Sequence, residues 1–393
     1  MQKFEQIRDM IKSIRIITQK MKTVRAGMRD IQNVQLAAAE VNRVLYHSER
    51  LKLQKDYCLE GENGYSGYLN ELETLIGMWE QTLQRRVGLG VDVEFWETYE
   101  YFRYVDTSMI YQDVVKHFME LPEGLRIECL SLPYRYTFLH HKIDYIQNDF
   151  SLIAEYVEMM SEKVEDYKWL YEHLADYRSK EVLNGIISYW FTFDMGRLHG
   201  LYDSIFQDYY DLDILKCGKH DVMVDLGAYT GDSLLRYISV YGTYKRIYAY
   251  EITPSTFQAL VQNVSEYPGV ISINKGVGRE FGKMFVNDEG LFARNRLLEH
   301  GEREIEVVAL DDDIKEAVSV IKMDIEGYEK EAIRGAASHI RNERPNMLVS
   351  AYHLPGDIFE IPLLIDSIRD DYRFYLRGYG KGLWPCDYVL YAV

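Results

Sequence analysis

The feature that most constrains the fold of this chain is the regular alternation of short apolar runs with longer segments after residue 216. The apolar runs are rich in β-branched residues and read DVMVDLG, RIYAYEI, VISINKGV, VSVIKMDIEG and NMLVSAYH. Between them lie segments long enough for crossover helices, such as DSLLRYISVYG and PSTFQALVQNVSEY. This order is typical of βαβ units, so we predict an α/β fold with a doubly wound, mostly parallel sheet. We expect YRFYLRGYG and DYVLYAV to complete that sheet.

The part of the chain before this sheet has a helical pattern. A length of 393 residues exceeds what one ordinary core accommodates, so two or three folding units are expected. We predict an N-terminal coiled-coil helix over 1–57, a helical domain over 68–215 and the α/β domain over 216–393. The glycine-containing stretch CLEGENGYSGY is the expected linker between the first two.

The coiled-coil prediction rests on apolar residues that repeat every 3.5 positions near the N-terminus. The two seam positions are occupied by Ile7, Ile14, Met21 and Met28 and by Met10, Ile17, Val24 and Ile31. So regular a seam favours a homo-oligomer held together by a coiled coil. The alternative is a single amphipathic helix that packs on its own domain.

Composition narrows the classes of partner. The formal net charge of −17 argues against broad binding to nucleic acid, because a phosphate backbone would be repelled. No apolar run reaches the roughly 18 residues of a membrane span, and the N-terminus lacks a signal-peptide core, so we expect a cytoplasmic protein without membrane contact. The four cysteines are far apart and lack metal-ligand spacing, so we predict reduced thiols and no metal site.

The turn DLGAYTG follows the first predicted strand, where ligands bind in a doubly wound sheet. A nicotinamide-binding turn has three glycines, whereas Tyr229 occupies the middle position here and the spacing differs. Asp225, two residues before Gly227, suits a positively charged ligand, and Glu251 at the end of the second strand is placed to accept ribose hydroxyls. Together these acids favour S-adenosylmethionine, which has a sulfonium and an ammonium but no phosphate.

Five segments resemble the successive motifs of FkbM-type S-adenosylmethionine-dependent methyltransferases. They are VDLGAYTGDS, YAYEITPSTFQAL, VVALDDDI, VIKMDIEGYEKEAIRGA and SAYHLPGDIFEIPLLI, and the resemblance covers about residues 205 to 393. It implies a Rossmann-like class I methyltransferase fold that commonly methylates a hydroxyl oxygen of sugars, glycans or secondary metabolites. The first 150 or so residues take nothing from this resemblance.

The resemblance also implies which residues hold the cofactor. The methionine half would be lined by Asp225, Gly227, Ala228, Tyr229 and Gly231, next to the helix that starts near Asp232. Glu251 would hold the ribose and Ile252 would lie against the adenine, with Lys275 and Gly276 near the adenine edge. Family members often have a smaller residue where Tyr229 stands.

Three residues at the ends of the later strands are the candidate catalytic groups. Methyl transfer to an alcohol needs alignment and a base for the hydroxyl proton, and Asp324, Glu326 and His353 lie where that base is expected. His353 titrates near neutrality, so it is the expected base, and Lys322 is expected to form an internal ion pair. The structural alternatives are that Asp324 caps the following helix and that His353 orders its loop through Asp357. A metal held by Asp324, Glu326 and His353 is conceivable, but their spacing is not that of metal ligands.

Two other functions stay open. The acceptor could be a nitrogen or a protein or peptide side chain, or the chain could be an oligomeric scaffold that binds the cofactor without turnover. Aromatic residues of the helical region could line an acceptor pocket or belong to an ordinary core; they are Trp169, Tyr171, Tyr189, Trp190 and Phe191. The expected partners are a small-molecule or glycan acceptor and further copies of this chain.

Overall fold

A computed structural model of the chain describes residues 90–203, 206, 209–286, 300–301 and 303–393. The chain divides into two compact units, residues 1–105 and 106–393. The first unit contributes helix α1, Gly90–Tyr104, to the described residues. The predicted coiled coil over 1–57 lies outside the described residues, so it and the predicted self-association stay predictions.

The second unit begins with seven described helices between Thr107 and Gly200. They are α2 Thr107–Glu120, α3 Glu123–Cys129, α4 Leu132–Arg135, α5 Ser151–Glu162, α6 Val164–His173, α7 Tyr177–Thr192 and α8 Met195–Gly200. Asp106, Asp176 and Asp194 precede three of them and accept hydrogen bonds from backbone N–H groups of the first turn. Such aspartate caps satisfy donors that have no partner inside the helix, which is why the helices begin where they do.

Strands and further helices alternate after Gly200. The strands are β1 Val222–Leu226, β2 Arg246–Tyr250, β3 Val270–Ile273, β4 Gly276–Val277, β5 Gly282–Val286, β6 Arg303–Val308, β7 Val320–Met323, β8 Asn346–Ser350, β9 Phe374–Gly378 and β10 Tyr388–Ala392. The helices are α9 Asp232–Tyr241, α10 Pro254–Val264, α11 Leu310–Asp313, α12 Glu329–Gly335, α13 Ala337–Glu343 and α14 Asp357–Ile368. No helix among the described residues is both long and apolar enough to span a bilayer.

Seven strands form the main sheet in the order β3-β2-β1-β7-β8-β10-β9. The first five in that order are parallel, and β10 runs antiparallel to both of its neighbours. All residues of β1, β7 and β10 are buried, as expected for strands covered on both faces. The prediction of an α/β fold with a mostly parallel sheet is therefore confirmed.

A second sheet, which the sequence analysis did not predict, is inserted between β3 and β7 of the main sheet. Its strands have the order β4-β6-β5, with β5 and β6 antiparallel. The predicted strand VISINKGV is divided by Asn274 and Lys275 into β3 and β4, which belong to different sheets. This small sheet lies beside the end of β2 and contributes part of the candidate site.

Helix α7 packs on β9, the last strand of the main sheet. In the contact of α7 with β9, Leu376 N donates to Ser179 Oγ at 2.9 Å. Buried Arg377 forms ion pairs with Asp176 at 2.7 Å and with Asp211 at 2.8 Å. The predicted boundary at 215/216 therefore does not separate two compact units, because residues 106–393 form one.

Candidate active site at the carboxyl edge of the sheet

The turn after β1 brings the ends of β1 and β7 into close contact. Gly227 has a φ of 77°, and a Cβ at this position would overlap with the backbone carbonyl oxygen of Asp324. Gly231 has a φ of 93° and lies against Leu260 and Val264. Both values belong to the left-handed region that favours glycine. The glycines expected to make room for a ligand thus also make room for the packing of the sheet.

Asp225 at the carboxyl end of β1 forms a buried ion pair with Lys322 of β7. The Nζ–Oδ1 distance is 3.1 Å, and the two side chains are almost inaccessible to solvent. Ser233 Oγ donates to the other carboxylate oxygen, and Lys322 Nζ donates to Gly227 O at 2.8 Å. Burial lowers the pKa of Lys322, but Asp225 and Asp324 more than offset this, so the net shift is upward. The geometry agrees with the expected ion pair of Lys322, and it leaves Asp225 with no uncompensated charge for a cationic ligand.

Glu251 follows β2 and organises the neighbouring turns. Its two carboxylate oxygens accept hydrogen bonds from Tyr229 N at 3.1 Å and from Thr253 N at 2.7 Å. Tyr229 adopts a φ of 47°, which is uncommon for a residue with a side chain. Burial is the largest influence on Glu251 and raises the pKa of its carboxyl group. The acid predicted to hold a ribose therefore lies at the site and also fixes the glycine turn.

Next to Glu251, Ile252 begins an apolar surface that the small sheet completes. Ile252 packs against the buried pair Ile305 and Val307 of β6, and so do Met284 of β5 and Tyr328 in the loop before α12. Asn274 Nδ2 donates to the carbonyl oxygens of Glu251 and Ile252 at 2.7 and 3.1 Å. Such a surface beside a carboxylate suits a flat, apolar ring attached to a ribose.

The remaining predicted cofactor residues lie around the same edge. Ala228 is buried and its N–H donates to Tyr250 O at 2.9 Å, while Asp232 is exposed in the first turn of α9. Lys275 forms ion pairs with Asp313 at 2.9 Å and Glu306 at 3.0 Å. The other member of this group, the buried Gly276, starts β4.

His353 lies inside a cluster of carboxylates, three residues after the end of β8. Its Nδ1 is 2.9 Å from Glu329 Oε1, and its Nε2 is 3.4 Å from Asp324 Oδ1 and 3.9 Å from Glu326 Oε2. Burial alone lowers the pKa of His353, but Glu329, Asp324 and Glu326 outweigh it and raise the pKa to about 10. An imidazole that is protonated at neutral pH cannot accept a proton, so this geometry does not support His353 as the base.

Neither structural alternative for these residues describes what is observed. Asp357 lies in a separate contact, where it accepts from Leu354 N and pairs with Lys330, so it does not hold His353. The helix after β7 begins at Glu329, whose carboxylate accepts from Ile325 N at 2.8 Å. Asp324 is therefore not the cap of that helix.

Asp324 is partly exposed and is held by hydrogen bonds from the other side of the site. Tyr209 Oη donates to Asp324 Oδ2 at 2.7 Å and lies 2.9 Å from Ser350 Oγ. Burial and the Asp324 carboxylate raise the pKa of Tyr209 well above its usual range, so its hydroxyl stays a donor. Glu326 lies in the turn after β7 and has a φ of 55°.

Aromatic side chains from two distant segments meet beside His353. The Phe138 ring, in the segment after α4, lies 5.6 Å from the ring of Tyr352 and 6.0 Å from that of His353. The aromatics named from sequence lie elsewhere: Tyr189 and Trp190 are buried in the core, and Trp169 stacks on His173. For these residues, the structure favours the alternative of an ordinary core.

Sequence reasoning missed Glu329, Tyr209 and Phe138. Glu329 lies three residues after Glu326 within the quoted motif, and its position at a helix start could have singled it out. Tyr209 and Phe138 carry no local signal, because their contacts join segments more than 100 residues apart.

The strand order, the glycine turn after β1 and the acid after β2 define the class of the second unit as a Rossmann-like α/β fold. Residues 225–381 match the family model described as the methyltransferase FkbM domain. This part of the chain is therefore similar to methyltransferase FkbM domains, as the resemblance of its motifs implied.

Two relatives illustrate the match. The hexuronic acid methyltransferase AglP of Haloferax volcanii is 22% identical over 170 residues, which are 42% of this chain and 69% of that protein. The solved structure of the methyltransferase FkbM of Methylobacillus flagellatus KT is 24% identical and superposes with a TM-score of 0.54. This superposition covers 63% of each of the two chains, and it supports the fold.

Proposed function

We propose that this protein transfers a methyl group from S-adenosylmethionine to a hydroxyl oxygen of a sugar, glycan or similar polyhydroxylated acceptor. The observation that carries the proposal is the pairing of buried Glu251 with the apolar surface at Ile252, at the carboxyl edge of a methyltransferase-family sheet. A carboxylate next to an apolar surface has the chemistry needed to hold a ribose and an adenine.

The charges at this edge fit that donor better than a dinucleotide. Lys322, Lys275 and His353 are the cationic groups described above, and each lies against at least one carboxylate. A diphosphate would need unpaired cations or free backbone N–H groups, whereas a sulfonium and an ammonium need acids. The residues present therefore fit S-adenosylmethionine.

In this mechanism, the donor supplies an electrophilic methyl group and the chain supplies alignment. Phe138 and Tyr352 would form the apolar side of the acceptor site, and a sugar ring packs well on such aromatic rings. Asp324 would accept the hydrogen of the acceptor hydroxyl, since its carboxylate is partly exposed and is oriented by Tyr209. The similarity to a hexuronic acid methyltransferase supports an acceptor of the sugar class.

The donor is tested by calorimetry on the full chain with S-adenosylmethionine and with S-adenosylhomocysteine. We expect both to bind, and we expect Glu251→Gln to weaken binding roughly 10- to 100-fold, because a hydrogen bond to a charged group contributes about 1.5–3 kcal/mol. Glu316→Gln, at the opposite edge of the sheet, is the matched control and should bind as the parent does. If neither compound binds, the proposed donor is refuted.

The acceptor is tested by incubating the chain with a methyl-labelled donor and panels of sugars, glycans, amines and peptides, followed by mass spectrometry. Label on a sugar hydroxyl is the expected result. Label on nitrogen or on a peptide would overturn the acceptor class. Binding of the donor without transfer to any panel member would favour the non-catalytic scaffold.

A further inference from the structure

We propose that Asp324, Glu326 and His353 form a binding site for one divalent first-row metal ion. Glu329 orients the imidazole through a hydrogen bond with Nδ1. The sequence offers no metal-ligand spacing, since the three residues come from the turn after β7 and from the segment after β8. The fold brings them together at the carboxyl edge of the sheet. Binding of the ion by these groups is independent of the proposed function.

The distances between the donor atoms are those of ligands that share an ion. His353 Nε2 lies 3.4 Å from Asp324 Oδ1 and 3.9 Å from Glu326 Oε2. A charge-assisted hydrogen bond would be shorter, at about 2.7–2.9 Å. Two ligands each about 2.1 Å from a tetrahedral metal lie about 3.4 Å apart, which matches the distance to Asp324 and is shorter than the distance to Glu326, whose partly exposed side chain would move closer.

Glu329 orients the imidazole in the way that metal-binding histidines require. Its Oε1 is 2.9 Å from His353 Nδ1, and both side chains are about 1% exposed. A hydrogen bond from Nδ1–H to a carboxylate leaves Nε2 pointing away from Glu329 and toward the ligand position, where the ion would replace the proton that Nε2 otherwise holds. Glu329 is itself held by the N–H of Ile325, so the imidazole has a rigid support.

A second observation indicates missing positive charge in this cluster. Glu329 Oε2 is buried and has no hydrogen-bond partner among the described residues. Ligand atoms of Asp324, Glu329 and His353 all lie within 4.8 Å of one another. The neighbouring lysines are engaged elsewhere, Lys322 with Asp225 and Lys330 with Asp357 and Glu360. Asp324 and Glu329 therefore place two carboxylates beside one imidazole, and a divalent cation would offset their charge.

The ligand set indicates the class of metal. One imidazole nitrogen with carboxylate oxygens suits Mn²⁺ or Zn²⁺ better than Mg²⁺, which prefers oxygen ligands. Asp324 and Glu326 are 29% and 23% exposed, so the ion can enter from the acceptor side.

The proposal is tested by titrating the full chain, freed of metal with a chelator, with MnCl2 in the absence of donor and acceptor. Calorimetry and the loss of the free Mn²⁺ signal in electron paramagnetic resonance should both give one ion per chain. We expect His353→Gln and Glu326→Gln to weaken binding at least tenfold, and Glu329→Gln to weaken it roughly 10- to 100-fold.

His339→Gln is the matched control, because His339 also lies against a glutamate, Glu343 at 2.8 Å, away from the candidate site. It should bind Mn²⁺ as the parent does. Thermal melting without metal identifies any variant that fails to fold. Glu326→Gln changes a partly exposed side chain, so its result does not depend on the stability of the buried His353–Glu329 pair. Absence of saturable binding of both Mn²⁺ and Zn²⁺, or equal binding by the parent and all three site variants, would overturn the proposal. Because no donor is present, this result is separate from the test of methyl transfer.

Discussion

At the carboxyl edge of the main sheet, charged side chains are arranged differently at two neighbouring places: the contact of β1 with β7, called the first junction, and the contact of β7 with β8, called the second junction. Between β1 and β7, Asp225 and Lys322 are both buried and compensate each other. Between β7 and β8, three carboxylates surround the single imidazole of His353, and two of them are partly exposed. A compensated buried pair has little capacity to attract a ligand, whereas a surplus of carboxylates attracts cations. We infer that the first junction stabilises the fold and that the second carries the chemistry.

The stabilising role of the first junction is tested by removing its cation. Lys322→Met leaves Asp225 buried without a partner, so we expect the free energy of unfolding to fall by about 3–5 kcal/mol. Urea unfolding followed by circular dichroism measures this loss. The double variant with Asp225→Asn should recover much of it, since no unpaired charge then remains. A loss below about 1 kcal/mol would mean that the pair does not carry the structural role assigned to it.

The contact between the two junctions is tested at Gly227. Gly227→Ala introduces a side chain against the carbonyl of Asp324 at a left-handed backbone position, so we expect a loss of about 3 kcal/mol in stability and weaker binding of the donor. Gly242→Ala is the control: it has a φ of 69° with no atom within 4 Å of the added Cβ, and should cost about 1 kcal/mol. Equal losses in the two variants would show that backbone conformation, not the strand contact, explains the glycine.

The second junction is tested by a change that removes one hydrogen bond and little else. Tyr209→Phe removes the donor to Asp324, so we expect turnover to fall about tenfold, or 1.4 kcal/mol, while affinity for the donor is unchanged. Tyr248→Phe removes a hydroxyl at the same 2.7 Å distance from Glu316 at the other edge of the sheet, and should leave turnover as it is. Unchanged turnover in Tyr209→Phe would remove Asp324 from the reaction.

The smallest effect is expected at Glu316, which lies far from both junctions. Hydrogen bonds from Lys245, Tyr248 and Arg246 outweigh the effect of partial burial and lower its pKa from 4.5 to about 2. Because the pKa is lower in the folded state, Glu316 stabilises the fold above pH 4.5, and this contribution is lost as the pH falls toward 2. In urea unfolding at pH 7, Glu316→Gln should cost at most about 1 kcal/mol, and this difference from the parent should shrink between pH 4 and pH 2.5. A difference that does not change with pH would contradict this assignment.

The sequence predicted the features that depend on neighbours along the chain. The alternation after residue 216 predicts the main sheet because burial on both faces requires continuous apolar strands. The alternation within VIKMD places Lys322 where it meets a carboxylate of the adjacent strand. The motifs likewise placed Glu251, Asp324 and His353 at one edge.

What the sequence did not predict depends on contacts between distant segments. The raised pKa of His353 is caused mainly by Glu329, 24 residues earlier on a helix, and an isolated histidine in a sequence gives no sign of such a partner. The orientation of Asp324 depends on Tyr209, and the aromatic wall depends on Phe138. Strands β5 and β6 of the second sheet carry exposed charged residues, so they lack the continuous apolar runs that predict the strands of the main sheet.

The ion pairs of Arg377 have a consequence for how this protein can vary. A fragment that starts at residue 216 would lose both acidic partners of Arg377 together with helix α7, which packs on β9, and we expect such a fragment to aggregate. Helix α7 and the segment with Asp211 therefore cannot be separated from residues 216–393. Under the proposed function, new acceptor preferences would arise through exchange of short loops such as the one bearing Phe138, while the packing of α7 on β9 is retained.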